Sequence, residues 1–451
     1  MKKIVIVGSG AAGAKAASKA KRLDFTNHVE IFTDSKYTSV SLCGLPYFIE
    51  GTVKDINDLI VRTPEEFLQN GIPVYTNYKL EQIIPENNCI IVNNNHIFYD
   101  ELILALGAKV NIPDIKNIDC ENIFTLHSID DALKIKEAMQ NAHSVLIIGG
   151  GYIAIELAQA FIKNNIKVYI VARGNGLLSD FDDDFCEIIY KTISKIAGNN
   201  INIILNNEVE FFEKHENRFT KAILKSGETI DADFCILSTG ITPNVEIAKN
   251  SGINLGSTGA IYVDNKMRTN ISNIYAAGDC AQKYSIITKK PLYIGLGAIA
   301  SKEGRIAAIN AVSHNYEFFD GILASAITGF YDFTISKTGL SLKRAMELSE
   351  EVNLEPVSTT VIKKDKAGYM PNSNVMTLKL VADKRSGELL GAQGVGCANI
   401  AQRINTITSL LKTRASVDEL LDLDLPYAPP FSGSIDPVLT AAYKLKELIS
   451  G

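Results

Sequence analysis

The chain of 451 residues contains no stretch of about 18 apolar residues, the length a membrane-crossing helix needs. The nearest approach, Val145 to Ile162, is interrupted by three consecutive glycines and by Glu156. The opening residues are expected to form a strand entering a loop and not a secretory leader, because the apolar run Ile4 to Val7 stops at Gly8-Ser9-Gly10 and Lys15 and Lys19 follow. Excess positive charge is also absent. Lys and Arg number 45 against 51 Asp and Glu, a net charge of -6, which excludes the basic footprint of a nucleic-acid binder. The seven cysteines (43, 89, 120, 186, 235, 280 and 397) are scattered, and no two have the spacing of a zinc site or a thioredoxin-type pair. That pattern excludes a secreted disulfide framework and makes six of them small apolar residues, Cys235 in the run Phe234 to Leu237 among them. Low-complexity tracts are absent, and Asn93 to Asn95 reads as a hairpin turn. What remains is a cytoplasmic chain with no membrane or nucleic-acid partner, long enough for about three domains at roughly 150 residues each.

What is present is a repeated unit: a short apolar strand, a glycine-rich turn and an Ala-rich helix, at Ile4 to Ala20 and again at Val145 to Phe161. The first turn, Gly8-Ser9-Gly10-Ala11-Ala12-Gly13, follows the strand Lys3 to Val7 and opens a helix expected from Ala14. Backbone N–H groups at such a helix start can receive a pyrophosphate, and glycine is required because a side chain would hold the phosphates away. The paired strand Val29 to Phe32 should end in an acid for the adenosine ribose. Here it ends Thr33-Asp34, so either residue is a candidate ribose ligand.

The second turn, Gly149-Gly150-Gly151-Tyr152-Ile153-Ala154, has Glu156 on the following helix. Its paired strand, Lys167 to Val171, ends in Ala172-Arg173 with no carboxylate at the ribose position. An acid there would repel a 2'-phosphate, whereas Arg173 can bind one, so NADPH is predicted over NADH, with NADH still admitted. Runs ending at Gly107 and Gly240 mark domain joints, and after about residue 322 alternating strands such as Val375 to Val381 and a helix near Ile400 to Lys412 indicate an α+β domain. The expected architecture is α/β: two Rossmann-like dinucleotide-binding domains, residues 1–112 with 246–322 and residues 113–245, then an α+β dimerisation domain over residues 323–451.

With these motifs placed, the chain resembles the FAD-dependent pyridine nucleotide-disulfide oxidoreductases over essentially its whole length. Thr269 to Asp279 matches that family's second FAD fingerprint, which implies that Asp279 accepts hydrogen bonds from the flavin ribityl chain. The segment Ser39-Val40-Ser41-Leu42-Cys43-Gly44-Leu45-Pro46-Tyr47 points to the single-cysteine branch. Dithiol members such as glutathione reductase carry a second cysteine five positions on, where this chain has Phe48. A lone thiol must cycle through a sulfenic acid or a mixed disulfide. Nearby helix N-termini are expected to depress the Cys43 pKa and make it a nucleophile.

Three single-cysteine subgroups compete: coenzyme A-disulfide reductases, water-forming NADH oxidases and NADH peroxidases. The latter two carry a histidine in the first glycine loop, where this chain has Ala11. The reductases' Cys-x-x-Pro-Tyr signature is present, although their Phe and Asn have become Val40 and Leu42. Gly368-Tyr369-Met370-Pro371 and Tyr427-Ala428-Pro429-Pro430-Phe431 resemble the reductases' segments bearing two catalytic tyrosines that act across the dimer. Ser39 and Arg22 match substrate-side residues, Arg22 toward the coenzyme A phosphates. The resemblance further implies that Tyr152 gates the nicotinamide, Glu156 orients its carboxamide, and Gly107 belongs to the cofactor set.

The expected enzyme passes hydride from NADPH through FAD and Cys43 to a coenzyme A disulfide or persulfide, as a homodimer with shared active sites. Two alternatives stand beside it: an NAD(P)H oxidase or peroxidase working through a Cys43 sulfenic acid, and an electron-transfer flavoprotein serving a small redox protein. No fused sulfur-transfer domain is expected before the chain ends at Gly451.

Overall fold

The computed structural model describes residues 1–313, 316–397 and 399–451. Lys3–Val7 is rich in β-branched residues and buried on both faces, as the central strand of a parallel sheet should be. That sheet runs in the order Ile274–Ala276, Glu101–Leu104, Lys3–Val7, His28–Phe32, Val74–Tyr75, with every pairing parallel. A second parallel sheet repeats the plan in the order Ile201–Ile204, Lys167–Val171, Ser144–Ile148, Phe234–Leu237, Ile123–Thr125. The chain leaves the first unit along Ala108–Val110 and returns along Ile241–Pro243, and these two strands pair antiparallel as a double crossing.

The third unit is an antiparallel sheet in the order Ala326–Phe330, Phe333–Gly339, Leu389–Gly396, Val375–Asp383, Pro356–Lys364. Helices Ile400–Lys412 and Pro437–Ser450 bury Ile404, Ile407, Val438 and Leu445 against it. The asparagine hairpin forms as read, with Asn93 and Asn94 at φ of 46° and 61° between Cys89–Val92 and Asn95–Phe98. Among the described residues no helix is long and apolar enough to cross a membrane.

The first helix departs from expectation by starting at Ala11 rather than Ala14. Gly10 is its extended N-cap, so Ala11, Ala12 and Gly13 already form the first turn and their N–H groups have no partners within the helix. The glycines divide the work. Gly8 has φ of 101°, and a Cβ there would lie 2.1 Å from the Ala105 carbonyl oxygen, whereas a Cβ on Gly10 would meet nothing within 4 Å. The one makes the tight turn; the other keeps open the space in front of the helix.

A polar seam joins the second and third units. The buried carboxylate of Asp182 accepts from Lys343 N at 2.8 Å, Lys379 Nζ at 3.1 Å and Gln393 Nε2 at 2.6 Å, and Asp182 N donates to Gln393 Oε1 at 2.9 Å. Burial alone would raise this carboxyl, but the Lys343 N–H, Lys379 and Gln393 together hold it below its ordinary value.

The first helix packs on Gly297–Val312 at backbone contact, since a Cβ on Gly304 would lie 2.1 Å from the Ala12 carbonyl oxygen. Gly304→Ala should therefore destabilise the protein by about 1–3 kcal/mol. Gly297→Ala, in the same helix but with nothing within 4 Å of its Cβ, should change stability by less than about 1 kcal/mol. Urea-denaturation midpoints measure both, and equal effects of the two substitutions would contradict this packing.

Candidate functional site

Cys43 lies in a short 3-10 turn, Leu42–Gly44, immediately before the helix Leu45–Glu50. The segment leading to it is anchored by backbone. Ser39 N donates to Ser9 O at 2.9 Å, and Val61 N donates to Ser39 O at 3.0 Å. These bonds hold Ser39 at φ of 49°, a left-handed conformation that a non-glycine residue adopts only when its surroundings impose it. The first nucleotide turn and the thiol-bearing segment are thus one rigid piece.

The far end of the helix is tied to the second unit. Glu50 Oε1 accepts from Gln159 Nε2 at 2.5 Å and pairs with Lys163 Nζ at 2.8 Å, and Lys136 Nζ donates to Ile49 O at 3.2 Å. Between these elements is a cavity of about 120 Å³ lined by Pro46, Tyr47, Glu50, Glu156, Gln159 and Tyr331. Glu156 Oε1 accepts from Thr328 Oγ1 at 3.0 Å, and burial raises the Glu156 carboxyl above its ordinary range.

The Cys43 thiol is open to solvent on one side but surrounded by protein on the others. Burial, then the carboxylates of Glu156 and Asp279, raise its pKa. This corrects the expected depression by helix N-termini: the following helix has only six residues, and burial together with two negative charges raises the thiol instead. Tyr47, one turn beyond Cys43, is raised in the same way by burial and then by Glu156 and Glu50.

Asp279 follows Gly278, whose φ is 82°, at the end of the strand Ile274–Ala276. Its Oδ1 is buried with no hydrogen-bond partner, and burial raises its pKa against the opposing pull of Lys283 and His127. An unpartnered buried oxygen of this kind fits a hydroxyl-bearing ligand such as the ribityl chain of FAD. With the open space at Gly10 and the uncapped helix at Ala11, the residues suit an FAD. On the strand beside it, Thr33 is buried and its hydroxyl accepts from Ser9 Oγ at 3.3 Å, whereas Asp34 is exposed. Gly107 has φ of 66° just past the strand Glu101–Leu104.

The second turn repeats the first. Gly149 has φ of 120°, Gly151 has open space, and Ala154 is fully buried where the first turn has Gly13. The Tyr152 hydroxyl donates to Asp180 Oδ2 at 3.0 Å; burial and that carboxylate keep the phenol protonated. Lys337 of the third unit pairs with Asp180 at 2.5 Å. Arg173 is exposed at the end of the strand Lys167–Val171, close enough to Glu208 to lower that carboxyl, although Lys225 lowers it more.

Cys43, Glu156 and Asp279 are brought together, but Tyr369 and Tyr427 are not beside them within one chain. They share a separate groove of about 600 Å³ in the third unit, where desolvation and then the neighbouring Tyr369 raise the Tyr427 phenol. Tyr369 is 76% exposed. Arg22 is exposed in the last turn of the first helix.

Lys283 and Glu303 escaped the sequence reading. Both are fully buried beneath Gly278-Asp279 and lie 3.5 Å apart. Glu303 Oε2 accepts from Gly278 N at 2.8 Å, and Lys283 Nζ donates to Gly278 O at 2.9 Å. Burial holds Glu303 well above the usual carboxylate range, against the pull of Lys283. The available signal was a carboxylate on the same helical face as the buried Ala300 and Ala307.

Two glycine turns, each opening a helix after a central parallel strand, define a protein built on a pair of dinucleotide-binding units. The chain belongs to the pyridine nucleotide-disulphide oxidoreductases: that family's model matches residues 2–304, and its dimerisation-domain model matches residues 325–438. It is 35% identical over 451 residues, 99% of this chain and 98% of the other, to a protein of Pyrococcus horikoshii called an NAD(P)H coenzyme A polysulfide/persulfide reductase. Identity is 29% to the coenzyme A disulfide reductase of Staphylococcus haemolyticus, covering 99% of this chain and all of that one. Among solved structures, the NAD-dependent persulfide reductase from A. fulgidus superposes with a TM-score of 0.95 at 31% identity, covering all of this chain and 84% of that one.

Replacing Glu156 by Gln removes one of the two charges that hold the Cys43 thiol up. The midpoint of Cys43 alkylation by iodoacetamide against pH should move to lower pH, read by peptide mass spectrometry. An unchanged or higher midpoint would show that Glu156 does not act on the thiol.

Proposed function

We propose that this chain is a cytoplasmic, homodimeric reductase of coenzyme A disulfide or persulfide, using Cys43 as its single redox thiol and NADPH as the preferred reductant. One observation carries this reading: the segment bearing Cys43 is bonded to the first nucleotide turn through Ser39 N and Ser9 O, and the helix after it to the second unit through Glu50, Gln159 and Lys163. A thiol in that position lies on the path between the two dinucleotides. The likeness to coenzyme A persulfide and disulfide reductases supports the acceptor.

FAD, when bound, supplies the two-electron carrier between the nicotinamide and the sulfur. Gly8, Gly10, Ala11, Ala12 and Gly13 offer the turn and free N–H groups for its pyrophosphate, with Thr33 or Asp34 at the ribose. Asp279 offers its unpartnered oxygen to the ribityl hydroxyls, and Gly107 keeps the neighbouring backbone out of the way. Gly149, Gly151 and Ala154 do the same for the nicotinamide dinucleotide, with Arg173 placed for a 2'-phosphate. Glu156, held by Thr328, orients the carboxamide, and Tyr152 swings from Asp180 to admit the ring.

The Cys43 thiolate attacks one sulfur of the substrate disulfide, forming a Cys43–S–S bond and breaking the substrate's own S–S bond. One thiolate departs and takes a proton. Two further electrons and a proton release the second thiol and restore Cys43. Tyr369 and Tyr427 of the other subunit hydrogen-bond the departing thiolate, which explains why they lie together yet apart from their own Cys43. Ser39 and Arg22 contact the substrate. The absence of a histidine at Ala11 favours disulfide reduction over oxygen chemistry.

Cys43→Ser should retain FAD and lose at least about 100-fold in kcat for coenzyme A disulfide. A variant reducing that substrate at the parent rate would end the proposal. Arg173→Ala should lower kcat/KM for NADPH about tenfold and leave NADH nearly unchanged, as expected for loss of one charge-assisted contact. Parallel loss with both dinucleotides would remove Arg173 from the 2'-phosphate site.

A further inference from the structure

Beneath the Gly278-Asp279 peptide is a buried ionisable cluster that the chemistry at sulfur does not use. The side chains of Lys283 and Glu303 are both 0% exposed, and their charged atoms lie 3.5 Å apart. Lys283 Nζ donates to Gly278 O at 2.9 Å and to Ala281 O at 3.0 Å. Glu303 Oε2 accepts from Gly278 N at 2.8 Å, whereas Glu303 Oε1 is buried with no hydrogen-bond partner. An ionised oxygen left unpaired in the interior is costly, and a proton on the carboxyl lowers that cost.

The surroundings leave the local charge negative. Glu303 and Asp279 share one nearby ammonium, that of Lys283. Against Glu303's helix, Gly297–Val312, the first helix buries only alanines and Gly13. The strands Glu101–Leu104 and Ile274–Ala276 are apolar from Leu102 and from Ile274 onward, apart from the Tyr275 phenol, which donates to Asn310 O at 3.1 Å. On Glu303's own helix, Lys302 is exposed and Arg305 pairs with Glu317. Farther out, His127 acts on Asp279, and burial followed by Asp279 keeps Tyr293 a neutral phenol. Burial, opposed by Lys283, pushes the Glu303 carboxyl up to about 7. Near neutral pH it therefore stands between its two forms.

Glu303 is also close to the first nucleotide turn, because the next residue, Gly304, touches the Ala12 carbonyl. A hydride brings two electrons and one proton to FAD and leaves one added negative charge. In a poorly polarisable interior such a charge favours protonation of a neighbouring carboxylate. We propose that Glu303 is the proton acceptor coupled to the flavin: two-electron reduction draws one proton from solvent onto its carboxylate, and reoxidation returns it. Lys283 keeps its own proton throughout, and Gly278 N holds the carboxyl in either form. The proton offsets the added charge, so the reduced flavin gains stability as pH falls. This coupling requires bound FAD but no particular nicotinamide dinucleotide or sulfur acceptor, and it goes beyond the reductase reading.

The test uses the holoenzyme with Cys43 in its thiol form, reduced by dithionite with mediator dyes and with no nicotinamide or disulfide present. Above about pH 7 the flavin potential of the parent should fall more steeply with pH than that of Glu303→Gln, by up to about one proton per flavin reduced. Below about pH 6 Glu303 is protonated before reduction, and the two plots should run parallel. Infrared difference spectra at about pH 8 should show a carboxylic-acid C=O band gained by the parent on reduction and missing from Glu303→Gln. Lys283→Met keeps the carboxyl and removes the opposing cation, so the bend in the potential plot should move up by at least about one pH unit, a tenfold change in proton concentration. That variant reads the coupling even where Glu303→Gln releases FAD. Parallel plots for the parent and Glu303→Gln at every pH would overturn the proposal. So would a bend unmoved by Lys283→Met, a parent that gains no carboxylic-acid band, or a band that survives Glu303→Gln. Each of these outcomes leaves the reductase reading intact, because no substrate enters the measurement.

Discussion

The site depends on how closely two backbones approach. The first helix and Gly297–Val312 touch at Gly304 and the Ala12 carbonyl, with Ala12 also against Gly278. Any side chain larger than hydrogen at Gly304 would separate these elements and move Gly278-Asp279 away from the first nucleotide turn. Lys283 and Glu303 hold the same peptide from below, one at its carbonyl and the other at its N–H. A buried ion pair is a costly means of stabilisation, but it fixes geometry well when both charges are also hydrogen-bonded to the backbone. The Asp279 carboxylate inherits its position from that arrangement.

From that fixed point the electrostatics of the thiol follow. Asp279 approaches Cys43 from one nucleotide unit and Glu156 from the other, and both disfavour the thiolate. Burial and then these two carboxylates raise the Cys43 thiol, so whatever alters either carboxylate alters how readily the thiolate forms. Glu156 is itself displaced upward by burial, and Thr328, which donates to it, comes from the third unit. The reactivity of one sulfur is thereby linked to all three parts of the chain.

The third unit reaches the nucleotide sites through the same seam. Lys337 pairs with Asp180, and Asp180 in turn accepts from Tyr152, so a residue of the C-terminal sheet restrains the ring next to the second glycine turn. Asp182, two residues on, is bound by Lys379, Gln393 and the Lys343 N–H. Two acids close in sequence thus serve different ends: Asp182 closes the interface, and Asp180 holds the Tyr152 hydroxyl and Lys337.

Much of this was legible in the linear chain. Strand, turn and helix in each nucleotide unit follow from local rules, because a glycine at positive φ and an alternation of apolar residues act over a few positions. Cys43 stands out because its segment Ser39 to Tyr47 resembles the single-cysteine branch of the family, with Phe48 where the dithiol members carry a second cysteine. The sign of its pKa shift was not legible there, since Glu156 and Asp279 lie more than 100 and 200 positions away and meet it only when two sheets are assembled. Lys283 and Glu303 looked like ordinary charges for the same reason. Sequence by itself determined the turns and the order of the elements, which are short-range properties. Tertiary structure alone decided which charges surround the Cys43 thiol and which tyrosines share a groove, because electrostatic neighbours are set by packing in space and not by distance along the chain.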